Sequence, residues 1–116
     1  MSKRILIIDD DSDSGTILTC ILEDGGYEVG VAKRRRSDRG SPPDLVLLDV
    51  MMPGKNGFDV CESVKSNAEM SQIIIIMISA KSDPISQEQA SSLGASDYII
   101  KPVNPSEVLR RVRKFL

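Results

Sequence analysis

A doubly wound α/β fold with a five-stranded parallel sheet is what the sequence predicts. Short apolar runs recur along the 116 residues, segments of helical spacing separate most of them, and acidic, hydroxyl or basic residues stand where the runs stop. Strands buried on both faces read as continuous apolar runs, and strands alternating with helices specify a parallel sheet with right-handed crossovers and helices on both faces.

Arg4 to Ile8 is apolar after its first residue, Glu28 to Ala32 is a weaker run, and Leu45 to Leu48 and Ile73 to Ile78 are unbroken. Tyr98 to Ile100 is the last strand. Ile17, Leu18, Ile21 and Leu22 form an apolar stripe on the first helix, and Phe58, Cys61, Val64 and Ala68 do so after the third strand. Val108, Leu109, Val112 and Leu116 line the final helix, which starts at Asn104 as N-cap, with Pro105 at N1 and Glu107 at the N3 position that can reach back. The fourth helix, Ser86 to Leu93, has only Ile85, Ala90 and Leu93 for a stripe, and predicts a marginally packed element.

The second crossover breaks the pattern. Residues 33–43 have no apolar stripe and end in Gly40, Ser41, Pro42 and Pro43, so the second helix is expected to be short or disordered, leaving part of one sheet face poorly covered. The five basic residues between 33 and 39 are read either as a solvated loop or as a patch for an acidic partner.

Length and composition narrow the function. The chain accommodates one domain, residues 1–116, since about 100 to 150 residues bury an adequate core. A net charge of -2 gives no global reason to bind nucleic acid or an anionic membrane. The longest apolar run falls far below the roughly 20 residues of a membrane span, and three aspartates stop the N-terminal run, so the expected location is the cytoplasm. Cys20 and Cys61 lack metal or redox spacing and are expected to be free, largely buried thiols. With no histidine, imidazole catalysis and phosphohistidine donation are excluded.

Function in an open parallel sheet gathers at the carboxyl ends of the strands. There the first run ends in Asp9-Asp10-Asp11, the third in Asp49, the fourth in Ser79 and the fifth in Lys101. Crowded carboxylates repel unless a cation compensates, and hard oxygen donors without thiolate pairs or imidazoles suit Mg²⁺. Asp10 and Asp49 are the first candidates as ligands, with Asp9 nearby, directly or through water. Together with Lys101 and Ser79 they suit phosphoryl transfer: Asp49 attacks phosphorus, Lys101 neutralises its oxygens and Ser79 donates a hydrogen bond to one.

Taken together, ILIIDDD, PDLVLLDVMMPGKNGFDV, IIMISAKSD and GASDYIIKPVNPSEVLRRV resemble the CheY-like receiver domains of two-component response regulators over nearly the whole chain. The resemblance implies a flavodoxin-like strand order 2-1-3-4-5 and a role in phosphorelay signalling. It makes Asp9 and Asp10 the acidic pair, Asp49 the phospho-acceptor, Ser79 and Lys101 its contacts, the Met51 main-chain carbonyl a further Mg²⁺ ligand, and Tyr98 the switch aromatic coupled to Ser79. It also implies a histidine kinase or histidine phosphotransfer protein as donor, a downstream effector acted on through the surface of the fourth helix, fifth strand and fifth helix, and room for a homodimer. Such a domain assists its own phosphorylation and slow dephosphorylation and is not an enzyme for a separate substrate. The short second crossover departs from the family.

Three rivals are weaker. A haloacid-dehalogenase-type phosphohydrolase wants an acid two residues after its nucleophile, where this chain has Met51. A flavodoxin-like cofactor binder needs a phosphate-cradling loop where this chain has three aspartates. A phosphorylation-independent interaction module would not need the complete ligand set.

Overall fold

The computed structural model describes residues 3–9, 12–32, 43–49, 51–52, 55–66, 71–79, 84–101 and 103–116. The basic stretch 33–39, with the expected short second helix, lies outside the described residues, as do Asp10, Asp11, Pro53 and Ala68.

The main elements follow the sequence periodicity: β1 (Arg4–Ile8), α1 (Ser12–Asp24), β2 (Glu28–Ala32), β3 (Leu45–Asp49), β4 (Met51–Met52), β5 (Lys55–Asn56), α2 (Gly57–Ser66), β6 (Ile74–Ser79), α3 (Pro84–Ser92), β7 (Asp97–Ile100) and α4 (Pro105–Phe115). Five strands form one parallel sheet in the order β2-β1-β3-β6-β7. Counting only these five, the order is the expected 2-1-3-4-5. The antiparallel pair β4–β5 was not anticipated, although the intervening Pro53-Gly54 is a turn dipeptide.

The two-residue alternation of the strands divides the core. Ile5, Ile7, Leu45, Leu47, Ile76, Ile78 and Ile99 face α1 and α4, where Leu18, Leu22, Val108 and Val112 are fully buried. Ile8, Val46, Leu48, Ile75 and Met77 face α2 and α3, meeting Phe58, Val60, Cys61, Val64 and Ala90. Full burial of a large aliphatic side chain contributes about 1.5–3 kcal/mol, so this two-sided filling is what holds the sheet.

Three expected core positions are different in the structure. Ile17 is 52% exposed, because α1 turns Leu18 and Leu22 to the sheet and a helix of this width buries one stripe only. Ile85 is 75% exposed, which leaves Ala90 as the fully buried described side chain of α3 and Leu93 half-buried just after it. Cys20 is exposed on α1, whereas Cys61 is buried on α2. Both thiols are free.

The N-cap of α4 forms as its sequence predicts: Asn104 Oδ1 accepts from the amides of Ser106 at 2.9 Å and Glu107 at 3.3 Å. The Glu107 carboxylate points forward, lying 3.3 Å from Arg111 Nε one turn on. At the other end of the helix pattern, α1 closes on Gly26 at φ +94°, with Gly26 N–H donating to Glu23 and Tyr27 N–H to Leu22. This left-handed cap brings Tyr27 against the cluster that contains Leu22 and turns the chain into β2.

Candidate functional site

The register aligns the carboxyl ends of the strands. Ile8 lies beside Leu48, so Asp9 and Asp49 follow as neighbours at the ends of β1 and β3. Asp49 is level with Ile78 on β6, and Ser79 with Ile100 on β7. Lys101 N–H donates to the Ser79 carbonyl at 2.8 Å, extending the β6–β7 ladder by one step and fixing the lysine backbone at the rim.

The structure brings Asp9, Asp49 and Lys101 together as the sequence predicts. Lys101 Nζ lies 3.3 Å from Asp9 Oδ2 and 3.4 Å from Asp49 Oδ2. Asp9 and Asp49 are buried, at 3% and 6% exposure, and Ser79 is wholly buried. Buried carboxylates demand compensation, and one ammonium bridging two leaves this trio with a net negative charge. Both contacts are also longer than the 2.7–2.9 Å typical of strong ionic hydrogen bonds. The ammonium therefore bridges the pair without tightly engaging either oxygen.

Hard oxygen donors with residual negative charge fit a divalent cation such as Mg²⁺. Among the described residues no three His, Cys, Asp or Glu side chains gather as a metal cluster, and Asp10 lies outside them. Met51 belongs to β4, which follows β3 after one residue. Cys61 is withdrawn from this chemistry: its Sγ donates to the Leu93 carbonyl at 3.7 Å, and burial raises its pKa against the opposing effect of Lys65.

The side chains divide by face. Asp9, Asp49 and Lys101 continue the alternation of residues that face α1 and α4, whereas Ser79 continues that of Ile75 and Met77, toward α2 and α3. Tyr98 is half-buried against that second cluster and pairs with Met77, one diagonal step from Ser79. The hydroxyl and the aromatic ring thus share a sheet face, as an exchange between them requires.

The ion pair Asp97–Arg111 was not anticipated. Arg111 donates to Asp97 Oδ1 at 2.6 Å, and the same oxygen accepts from Tyr98 N–H at 2.8 Å. The bond to Asp97 is the main cause of the raised Arg111 pKa. A charged residue at the inward parity of a strand was the available signal, but its partner lies on another element. Among the described residues, no helix is long and apolar enough to cross a membrane.

Residues 5–113 match the family described as response regulator receiver domain. Over 97% of its length the chain is 39% identical to the DNA-binding response regulator MtrA of Mycolicibacterium paratuberculosis, covering 51% of that protein. Over its full length it is 36% identical to the alkaline phosphatase synthesis transcriptional regulatory protein PhoP of Bacillus subtilis, covering 49% of it. The chain thus spans about half the length of these relatives. Among solved structures, it is similar to the BeF3-activated N-terminal receiver domain of Klebsiella pneumoniae RstA, with TM-score 0.84, 31% identity and 97% coverage of both chains. The response regulator DrrB of Thermotoga maritima superposes with TM-score 0.88 at 28% identity, covering 99% of this chain and 52% of that one.

Proposed function

The chain belongs to the response regulator receiver family of two-component signalling, and on that premise we propose that Asp49 is its phospho-acceptor. The observation that carries this reading is the convergence of buried Asp49 and Asp9 on Lys101 at the strand ends. An Asp49 carboxylate oxygen attacks phosphorus, forming an O–P bond as the P–N bond of a donor phosphohistidine breaks and the imidazole leaves with the electron pair. Lys101 moves from bridging two carboxylates to neutralising phosphoryl oxygen, and the Ser79 hydroxyl donates to another oxygen. Asp9, Asp10, Asp49 and the main-chain carbonyl of Met51 would hold Mg²⁺, which supplies positive charge to the transferring group when bound.

The donor is a histidine kinase or histidine phosphotransfer protein. Phosphorylation adds about -1.5 to -2 of charge and three acceptors at the rim, so Ser79 is drawn toward it. Tyr98 then follows on the same sheet face, altering the surface of α3, β7 and α4 that an effector reads. The domain works as a signalling acceptor, in the cytoplasm, and the DNA-binding character of its relatives makes a transcriptional effector the leading output class.

Incubation with Mg²⁺ and acetyl phosphate, followed by intact mass measurement, tests the reading. One base-labile phosphoryl adduct is expected, abolished by Asp49→Asn and by chelating the metal. An adduct of equal yield on the Asp49→Asn protein would move the acceptor elsewhere.

A further inference from the structure

The two ends of α3 are held differently. In its first two turns the described side chains Ile85, Gln87, Glu88 and Gln89 are all exposed. Its C-terminal end is anchored by Ala90 and capped, although Ser91 and Ser92 are exposed. Ala90 is 1% exposed, Gly94 N–H donates to Ser91, and Ala95 N–H donates to Ala90 at 3.0 Å. With Gly94 at φ +100°, these bonds form a left-handed helix cap that satisfies the last carbonyls of α3.

Two residues of α2 grip that cap. Cys61 Sγ donates to the Leu93 carbonyl. Lys65 lays its aliphatic stem across Gly94, so closely that a Cβ there would sit 2.9 Å from Lys65 Cγ. Beyond the stem, Lys65 Nζ donates to the carbonyls of Ser71 at 3.1 Å and Ile73 at 2.7 Å, at the entry to β6. Ser96 N–H in turn donates to Ile75 at 2.7 Å, sealing the chain after the cap to the same strand. A single lysine therefore ties together α2, the α2–β6 connection and the α3–β7 turn.

We propose that α3 is a lever hinged at its C-terminal cap, with Lys65 as the positioning residue that fixes the fulcrum. The outer turns swing while residues 93–95 stay in place, because the outer turns carry no described buried side chain and the cap is bonded to two other elements. Motion of α3 is then a pivot that keeps β7 in register, and not a melting of the whole helix. Since α2 follows directly from the β4–β5 pair after Asp49, the fulcrum also joins α3 to the acceptor region by a path separate from Ser79 and Tyr98. The lever stands on packing in the unphosphorylated protein and is independent of the phospho-acceptor reading.

Residue-resolved amide hydrogen exchange on the unmodified chain tests it. An ordinary frayed helix end exchanges quickly. A fulcrum reverses this, so the amides of Gly94 and Ala95 should exchange at least about tenfold more slowly than those of Glu88 and Gln89. Lys65→Met keeps the stem and removes two donated hydrogen bonds. It should speed exchange at residues 93–95 by about three- to tenfold, the range for losing a net hydrogen bond or two, and leave Glu88 and Gln89 unchanged. In a Cys20→Ser background, the same substitution should raise the alkylation rate of Cys61. Equal protection along α3, or a Lys65→Met protein with unaltered cap exchange and Cys61 reactivity, would overturn the lever. Because no phosphodonor is present, neither result bears on Asp49.

Discussion

The two faces of the sheet are built to different standards. The α1–α4 side buries Leu18, Leu22, Val108 and Val112 completely and adds the Asp97–Arg111 ion pair. On the other side α2 packs well through Phe58, Val60, Cys61 and Val64, but α3 adds only Ala90 as a fully buried described residue. Asp9, Asp49 and Lys101 carry the parity of the firm face, whereas Ser79 and Tyr98 carry that of the face where α3 rests. The groups proposed to carry the chemistry, which needs fixed distances, stand on the more fully packed side, and those proposed to report it stand beneath the helix that buries only Ala90 completely among its described residues.

Substitutions can break or sharpen this contrast. The largest effect is chemical: Asp49→Asn should abolish the base-labile adduct, and Lys101→Met should cut its rate of formation by at least about a hundredfold, in the range of losing a positioned electrostatic contact. Comparing initial rates by intact mass checks both. The firm face should answer most strongly in stability. Leu22→Ala is expected to cost about 2–5 kcal/mol in urea unfolding, because it opens a cavity that α1 and the sheet cannot close.

Gly94→Ala comes next, at about 1–3 kcal/mol for a left-handed backbone position that also meets the Lys65 stem. Arg111→Met should cost at most about 1 kcal/mol, since the pair with Asp97 is partly open to solvent. The guanidinium pKa is raised in the folded state, so its share of stability is fully present at ordinary pH and lost only in strong alkali. Stability of this pair should therefore be flat from the Arg111 side between neutral pH and moderate alkali, which pH-dependent unfolding checks. Ile85→Ala should change stability by less than about 0.5 kcal/mol, because its side chain is mostly in water already. A cost there comparable with that of Leu22→Ala would erase the contrast between the faces.

Cysteine chemistry gives a finer reading of the same contrast. Cys20 should react with a thiol reagent near pH 8 while Cys61 stays protected, as burial raises the Cys61 pKa and covers its sulfur. A raised folded pKa means that the neutral thiol favours folding below the ordinary thiol range. That contribution declines as pH rises through the folded value. Mass analysis after timed alkylation distinguishes the two thiols.

Much of the site was legible because parallel strands deliver their terminal residues to one rim. Once β1, β3, β6 and β7 were recognised as apolar runs, Asp9, Asp49, Ser79 and Lys101 fell on one rim, and the strand order that the family resemblance implies made them neighbours. Helix faces were less legible. Ile17 and Leu18 are adjacent and equally apolar, and only the docking angle of α1 decided that Leu18 enters the core. Ile85 failed as a stripe residue for the same reason: the sheet beneath α3 accommodates Ala90, the one fully buried side chain among the described residues of that helix.

By itself the sequence determined the five strands, their parallel sense, the N-cap at Asn104 and the chemical set at the strand ends. These depend on local periodicity and on residue type, which are written in consecutive positions. Tertiary structure alone decided that Lys101 bridges Asp9 and Asp49, that Arg111 reaches Asp97, and that Lys65 lies across Gly94. Each of those joins residues from different elements, and no local pattern encodes a partner. Their distances are set by how the helices settle on the sheet, which is a property of the packed core.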